Sequence, residues 1–226
     1  NALSCALWVG ATCEILPMFD PDQTYHHLSS GDITLYMAVP TVYKSLIRAW
    51  LEYPIEERTR ISKAISNLRL MVSGSDKLEQ KTLEEWYEIS NHVLLERYGM
   101  TEIGMALSNP LKGDRIPETV GVPLPTVEVR VVESGQEISF DEDKPNHDRI
   151  FTESLIGELQ VRGPWVAKTY YNDERANDSF TEDGWLKTGD VATVDSNGYI
   201  SLVDRTKDLI KSGGEWVSSV ELENEI

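Results

Sequence analysis

The sequence predicts an incomplete α/β fold: a parallel-sheet βαβ part, then an antiparallel β part, then the start of a small α+β domain. Three observations predict it. Short apolar runs alternate with amphipathic stretches as far as Pro117. Short strands separated by turn residues then crowd the chain from Val120 to Val203. From Asp204 a basic, glycine-bearing stretch interrupts an acidic background. The divisions implied are 1–117, 118–203 and 204–226.

In the first part, Ile33–Val39 is β-rich and ends at Pro40, so it reads as a buried strand. Thr41 is placed to cap the next helix, whose apolar face is Tyr43, Leu46, Ile47 and Trp50. Leu68–Val72 is a second strand, ending in the turn Ser73-Gly74-Ser75-Asp76, and Leu78, Leu83, Trp86 and Ile89 mark another helix. Val93–Tyr98 is a third strand, stopped by Gly99. Ligands of such sheets sit at the carboxyl ends of the strands, where Ser73–Ser75 and Gly99–Glu102 fall. In the second part, Val127–Val131, Gly157–Val161 and Tyr199–Val203 are strands, and Asn197-Gly198 signals a hairpin. Asp141 to Asp148 is polar and reads as an exposed loop.

Composition narrows the function. The 226 residues are 40% hydrophobic and 26% charged, enough for a buried core and unlike a disordered chain. With 21 basic against 38 acidic residues the formal charge is −17, which disfavours a nucleic-acid partner. No apolar run reaches the about 18 residues that a transmembrane segment needs. Two cysteines, Cys5 and Cys13, are too few for a disulfide scaffold and suit a reducing compartment. The chain opens inside an apolar run and stops in the acidic stretch Val220–Ile226, so it is expected to be an internal piece of a longer protein.

Several segments carry chemistry. In Tyr98-Gly99-Met100-Thr101-Glu102 a glycine admits a ligand, a hydroxyl can bond phosphate oxygen and a carboxylate can hold Mg²⁺; alone it also reads as a strand-end turn. In Leu186-Lys187-Thr188-Gly189-Asp190, set between two β segments, the Asp can accept two hydroxyl protons or simply make an Asp turn. Asp204-Arg205-Thr206-Lys207-Asp208 and Lys211-Ser212-Gly213-Gly214-Glu215 join fixed cations to a flexible glycine pair, or form a solvated turn. No triad is visible, and the cysteines and histidines make no metal-ligand pattern.

Seven segments occur in a telling order: Val39-Pro40-Thr41, Ser73-Gly74-Ser75, Tyr98–Glu102, Gly121-Val122-Pro123-Leu124-Pro125, Gly157–Pro164, Asp183–Asp190 and Asp204–Asp208. The series resembles the acyl-CoA synthetases of the adenylate-forming superfamily along essentially the whole chain. Within them Leu94–Ser108 looks most like the malonyl-CoA synthetases, including the mitochondrial type. The resemblance implies a ligase that joins a carboxylic acid to AMP and passes the acyl group to CoA, with ATP, Mg²⁺ and CoA as co-substrates. It implies an intracellular setting, mitochondrial or cytoplasmic.

It also implies roles. Ser73, Gly74, Ser75 and Tyr98 would border the adenine, Tyr98 with a stacking face, and Gly99 would belong to the cofactor-binding set. Thr101 would contact phosphate and Glu102 would hold Mg²⁺. Asp190 would bind the ribose hydroxyls and Arg205 the ribose or phosphate. Lys207 would be the hinge of the C-terminal domain, and Gly213 and Gly214 would approach the pantetheine channel. Arg97, with Met105 nearby, would bind the distal carboxylate of the acyl group; the competing reading pairs Arg97 with Glu96. A second basic residue, Lys44 or Arg48, aligns less well. Asp76 stands where a small Ala is usual. The family's phosphate loop would lie upstream of Asn1 and its catalytic lysine beyond Ile226, so the chain by itself is expected to be nearly inert. The stretch Lys207–Ser219 is more like medium- and long-chain fatty acyl-CoA synthetases, which keeps a fatty-acid substrate open, as is a non-catalytic nucleotide- or acyl-CoA-binding homologue.

Overall fold

The computed structural model describes residues 2–133, 136–140, 156–173, 176–206, 210–212 and 215–217. They divide into two compact units, one running to Glu96 with Pro110–Glu118 added, the other Arg97–Asn109 with the chain from Thr119 onward.

The first unit begins with α1 (Ala2–Trp8), whose Leu7 and Trp8 are exposed. In α2 (Pro21–Leu28) Asp20 caps the helix by accepting from the Gln23 amide at 2.8 Å, and Pro21 opens it where no amide is needed. Strand β1 (Leu35–Ala38) leads into α3 (Pro40–Glu52) and α4 (Ile55–Ile65), then into β2 (Leu70–Gly74), which pairs in parallel with β1. Helix α5 (Gln80–Ser90) follows and ends on Asn91 in the left-handed conformation, φ 57°, where asparagine is tolerated.

Two expectations are corrected here. Thr41 is not a cap: the helix starts at Pro40 behind Val39, with no side-chain capping bond. Strand β1 is only half-buried, whereas all of β2 is buried. The helices close over one core. Tyr43, Leu46 and Ile47 of α3 meet Leu83, Trp86 and Ile89 of α5, with Ile61 and Ile65 of α4. The Tyr43 hydroxyl donates to the Val72 carbonyl at 2.9 Å, and its ring lies 5.0 Å from that of Trp86.

Glu96, at the end of this unit, is 7% exposed. Burial, and then the Glu118 carboxylate, push its carboxyl up to about 8. The folded state therefore holds this proton more tightly than the unfolded chain, and stability falls as pH rises from about 4.5 through 8. Glu96→Gln should remove that slope. Its thermal midpoint should match the wild type near pH 5 and exceed it at pH 8, a gain worth about 1–3 kcal/mol. Parallel melting curves at both pH values would show an ordinary carboxylate instead.

Strand β3 (Leu95–Met100) begins in the first unit, at Leu95 and Glu96; in the second it turns at residues 101–103 and returns as β4 (Gly104–Ser108), antiparallel to it. The strand does not stop at Gly99, as expected, but passes through it. A side chain there would collide with the Gly104 carbonyl and approach the Met105 Cα to 3.0 Å, so the hairpin needs glycine at this crossing. Beyond β4 comes the short β5 (Val122–Pro123), and Gly121 bridges to Ile200. The strands β6 (Glu128–Glu133), β7 (Gln136–Phe140), β8 (Ile156–Arg162), β9 (Leu186–Val194) and β10 (Ile200–Arg205) make an antiparallel sheet in the order β10-β9-β8-β6-β7. A small ribbon, β11 (Ile210–Ser212) and β12 (Glu215–Val217), follows.

One sheet face is core: Val129, Val131, Leu159, Val161, Ala192 and Val194 alternate inward and pack on Ile103, Ala106 and Leu107 of the hairpin. On the other face two guanidiniums lie over the Trp185 ring, Arg130 at 4.4 Å and Arg162 at 4.5 Å from its centroid. The loop at 141–148 lies outside the described residues. Among the described residues no helix is long and apolar enough to cross a membrane.

Candidate active site

The second unit assembles a site around Asp190. Strand β9 carries three residues, Thr188, Gly189 and Asp190, opposite the single Leu159 of β8. The segment is thus a bulge within β9, not a connection between two strands. The bulge is held at each residue. Thr188 Oγ1 donates to the Leu159 carbonyl at 2.7 Å and accepts from the Asp190 amide at 3.1 Å. Gly189 takes φ +73°, a conformation that glycine adopts without strain, and its carbonyl accepts from the Thr206 amide at 2.8 Å.

Asp190 is 8% exposed, and each of its carboxylate oxygens is engaged. The Tyr98 hydroxyl donates to Oδ2 at 2.5 Å and Arg205 Nε donates to Oδ1 at 2.8 Å. Arg205 lies directly across the β9–β10 ladder from Asp190, so β10 extends past the expected domain start at Asp204. Tyr98 is 8% exposed, its ring in the core of the unit. Burial and the Asp190 charge raise its hydroxyl well above the usual tyrosine value, so it stays a donor at neutral pH. Three distant sequence segments thus meet at one carboxylate.

The hairpin turn carries Thr101, which is exposed, and Glu102, which is half-buried. Glu102 Oε1 accepts from the Tyr170 hydroxyl at 2.9 Å, and the Glu102 carbonyl accepts from the Ala167 amide at 2.7 Å. Burial, reinforced by Glu102, raises the Tyr170 hydroxyl as well. Among the described residues no group of three or more His, Cys, Asp or Glu side chains forms a metal cage.

Arg97 is half-buried on β3, and its Nη1 lies 2.8 Å from the Met105 sulfur across the β3–β4 pair. Glu96, its chain neighbour, is buried with the charge of Glu118 nearby.

In the first unit, Ser73 is fully buried at the end of β2, and its hydroxyl has no hydrogen-bond partner among the described residues. Gly74 is also buried, and Ser75 is exposed with φ 72°. Asp76 turns its carboxylate back on its own loop, accepting from the Lys77 amide at 2.8 Å. Lys44 is paired with Glu79 at 2.6 Å. Lys207, Gly213 and Gly214 lie outside the described residues. Sequence reasoning missed Tyr170 and the bulge chemistry of Thr188. A tyrosine pair at 170–171 was the visible signal for the first, but Tyr171 beside it is 93% exposed, and nothing local separates the two.

Comparison with known proteins places this site in context. Residues 1–171 match the family described as AMP-binding enzyme. Over its full length the chain is 44% identical to the mitochondrial malonate–CoA ligase of Xenopus laevis, of which it covers 42%. The chain thus spans about two-fifths of the length of that relative. Among solved structures it is similar to ATP-bound MatB from Rhodopseudomonas palustris, with 36% identity and a TM-score of 0.80, covering 99% of this chain and 41% of that one. It is also similar to a malonyl-CoA ligase ternary product complex with methylmalonyl-CoA and AMP bound, with 35% identity and a TM-score of 0.73, covering 95% of this chain and 43% of that one.

Proposed function

Because this chain belongs to the family of AMP-binding enzymes, we propose that the protein it comes from activates malonate: it joins the acid to AMP, releases pyrophosphate, and passes the acyl group to the thiol of CoA. The observation that carries this reading is the convergence of Tyr98, Asp190 and Arg205. A carboxylate has about four lone-pair positions, so Asp190 can keep both present partners and still accept from the two hydroxyls of a ribose. The Arg205 side chain, 56% exposed, retains donors for a phosphate or ribose oxygen. Tyr98 holds the carboxylate in place from the core side.

Glu102 suits Mg²⁺. That ion takes one or two carboxylates and completes its shell with water and substrate phosphates, so a lone glutamate with one oxygen held by Tyr170 fits it better than it fits a metal needing a protein cage. Held there, a magnesium ion would supply positive charge against the phosphate. On this chain, Thr101 would meet phosphate oxygen and Glu102 would keep its charge at a fixed place. Ser73 to Ser75 border the adenine in this reading. Arg97 takes the distal carboxylate with Met105 beside it. Lys207 remains the proposed hinge, with Gly213 and Gly214 at the CoA channel. The relative's name sets that protein in mitochondria, which supports an intracellular setting for this one.

Ribose reading by Asp190 is tested by binding. Full-length protein should prefer ATP over 2′-deoxy-ATP by about tenfold, the worth of one hydrogen bond to a charged acceptor. Asp190→Asn should lose most of that preference while melting normally. An unchanged preference in the variant would assign Asp190 to the bulge alone.

A further inference from the structure

We propose that Tyr170 is a positioning residue for the Glu102 carboxylate, pinning one of its oxygens so that the other is held ready to ligate magnesium. This rests on the reading that Glu102 holds the metal. The geometry points to it from both ends of Glu102. Its carboxylate accepts from Tyr170 at 2.9 Å and its carbonyl accepts from the Ala167 amide at 2.7 Å, so residues 167–170 grip the turn twice.

Tyr170 is itself held. Asn177 Oδ1 accepts from the Tyr170 amide at 2.8 Å and from Thr169 Oγ1 at 2.8 Å, and the Tyr170 ring packs 5.8 Å from that of Phe180. A half-buried glutamate on a turn has three rotatable bonds, and an isolated carboxylate there would sample several positions. A donor on one oxygen selects one of them.

The donor's chemistry also matters. A lysine or arginine at this distance would neutralise the carboxylate and compete with the cation. A tyrosine hydroxyl orients the group without cancelling its charge. The neighbouring Tyr171, 93% exposed, shares none of these contacts, so the arrangement belongs to position 170.

The test uses the full-length protein and the affinity for ATP, measured by calorimetry with magnesium and with EDTA. In the wild type magnesium should strengthen ATP binding. Tyr170→Phe should shrink that gain by about tenfold, as loss of an outer-shell partner does, and leave affinity in EDTA unchanged. The magnesium concentration that half-saturates adenylation should rise by about tenfold, with kcat at saturating metal within about threefold of wild type. Glu102→Gln is the reference and should abolish the magnesium gain. If Glu102→Gln abolishes the gain and Tyr170→Phe keeps it whole, Tyr170 does not position the carboxylate. If Tyr170→Phe weakens ATP equally in magnesium and EDTA, its role is structural and the proposal is overturned. If Glu102→Gln keeps the gain, the metal reading itself fails and takes the proposal with it.

Discussion

Glu102→Gln in the full-length protein should slow adenylate formation by on the order of a hundredfold or more without unfolding it, the loss typical of one strong transition-state contact. The substitution keeps shape and removes one negative charge. Gln still offers an oxygen to the Tyr170 hydroxyl, and the Glu102 carbonyl keeps its bond from Ala167, so the turn between β3 and β4 should persist. What disappears is the anionic ligand for the metal. The measurement is single-turnover formation of the acyl-adenylate, with a melting curve as control. A rate within a few-fold of wild type, with normal melting, would return Glu102 to the part of a turn residue.

Arg97→Met should lower kcat/KM for malonate by about two orders of magnitude, corresponding to roughly 3 kcal/mol for a lost charge-assisted pair. Malonate brings a second negative charge into the acyl pocket, and burying it without a cation would cost several kcal/mol on the order of what an unpaired buried charge costs. Arg97 lies against Met105 on the β3–β4 pair, so methionine at 97 preserves length and apolar contact there. Butyrate, which has no distal charge, should be used as well as before or better. Retained malonate preference in Arg97→Met would remove Arg97 from that role and assign the distal carboxylate to another cation.

The motifs could be read in the sequence because each is short and chemically dense, and their order marks the family. What joins them could not. Tyr98 and Asp190 are 92 positions apart, and Glu102 and Tyr170 are 68 apart, so no periodicity links either pair. The β3–β4 hairpin escaped for a local reason: Gly104-Met105-Ala106-Leu107-Ser108 has no β-branched residue, and its strand state comes from pairing with β3 and from burial of Ala106 and Leu107. Helix α4 buries only Ile61 and Ile65 along a charged surface, too thin an apolar stripe to stand out. The expected cap at Thr41 failed because Pro40 can itself occupy the first helical position, moving the cap two residues earlier, to Val39.

The most direct test is acid-dependent exchange of labelled pyrophosphate into ATP by the purified full-length protein, with malonate, butyrate or a medium-chain fatty acid as the only acid. Exchange requires the adenylation step alone, so it reads the central claim without the CoA transfer. Malonate should support exchange with a kcat/KM at least about a hundredfold above that for butyrate, the margin a paired distal charge supplies. A medium-chain fatty acid as the best substrate, or no acid-dependent exchange at all from folded protein that binds ATP, would contradict it.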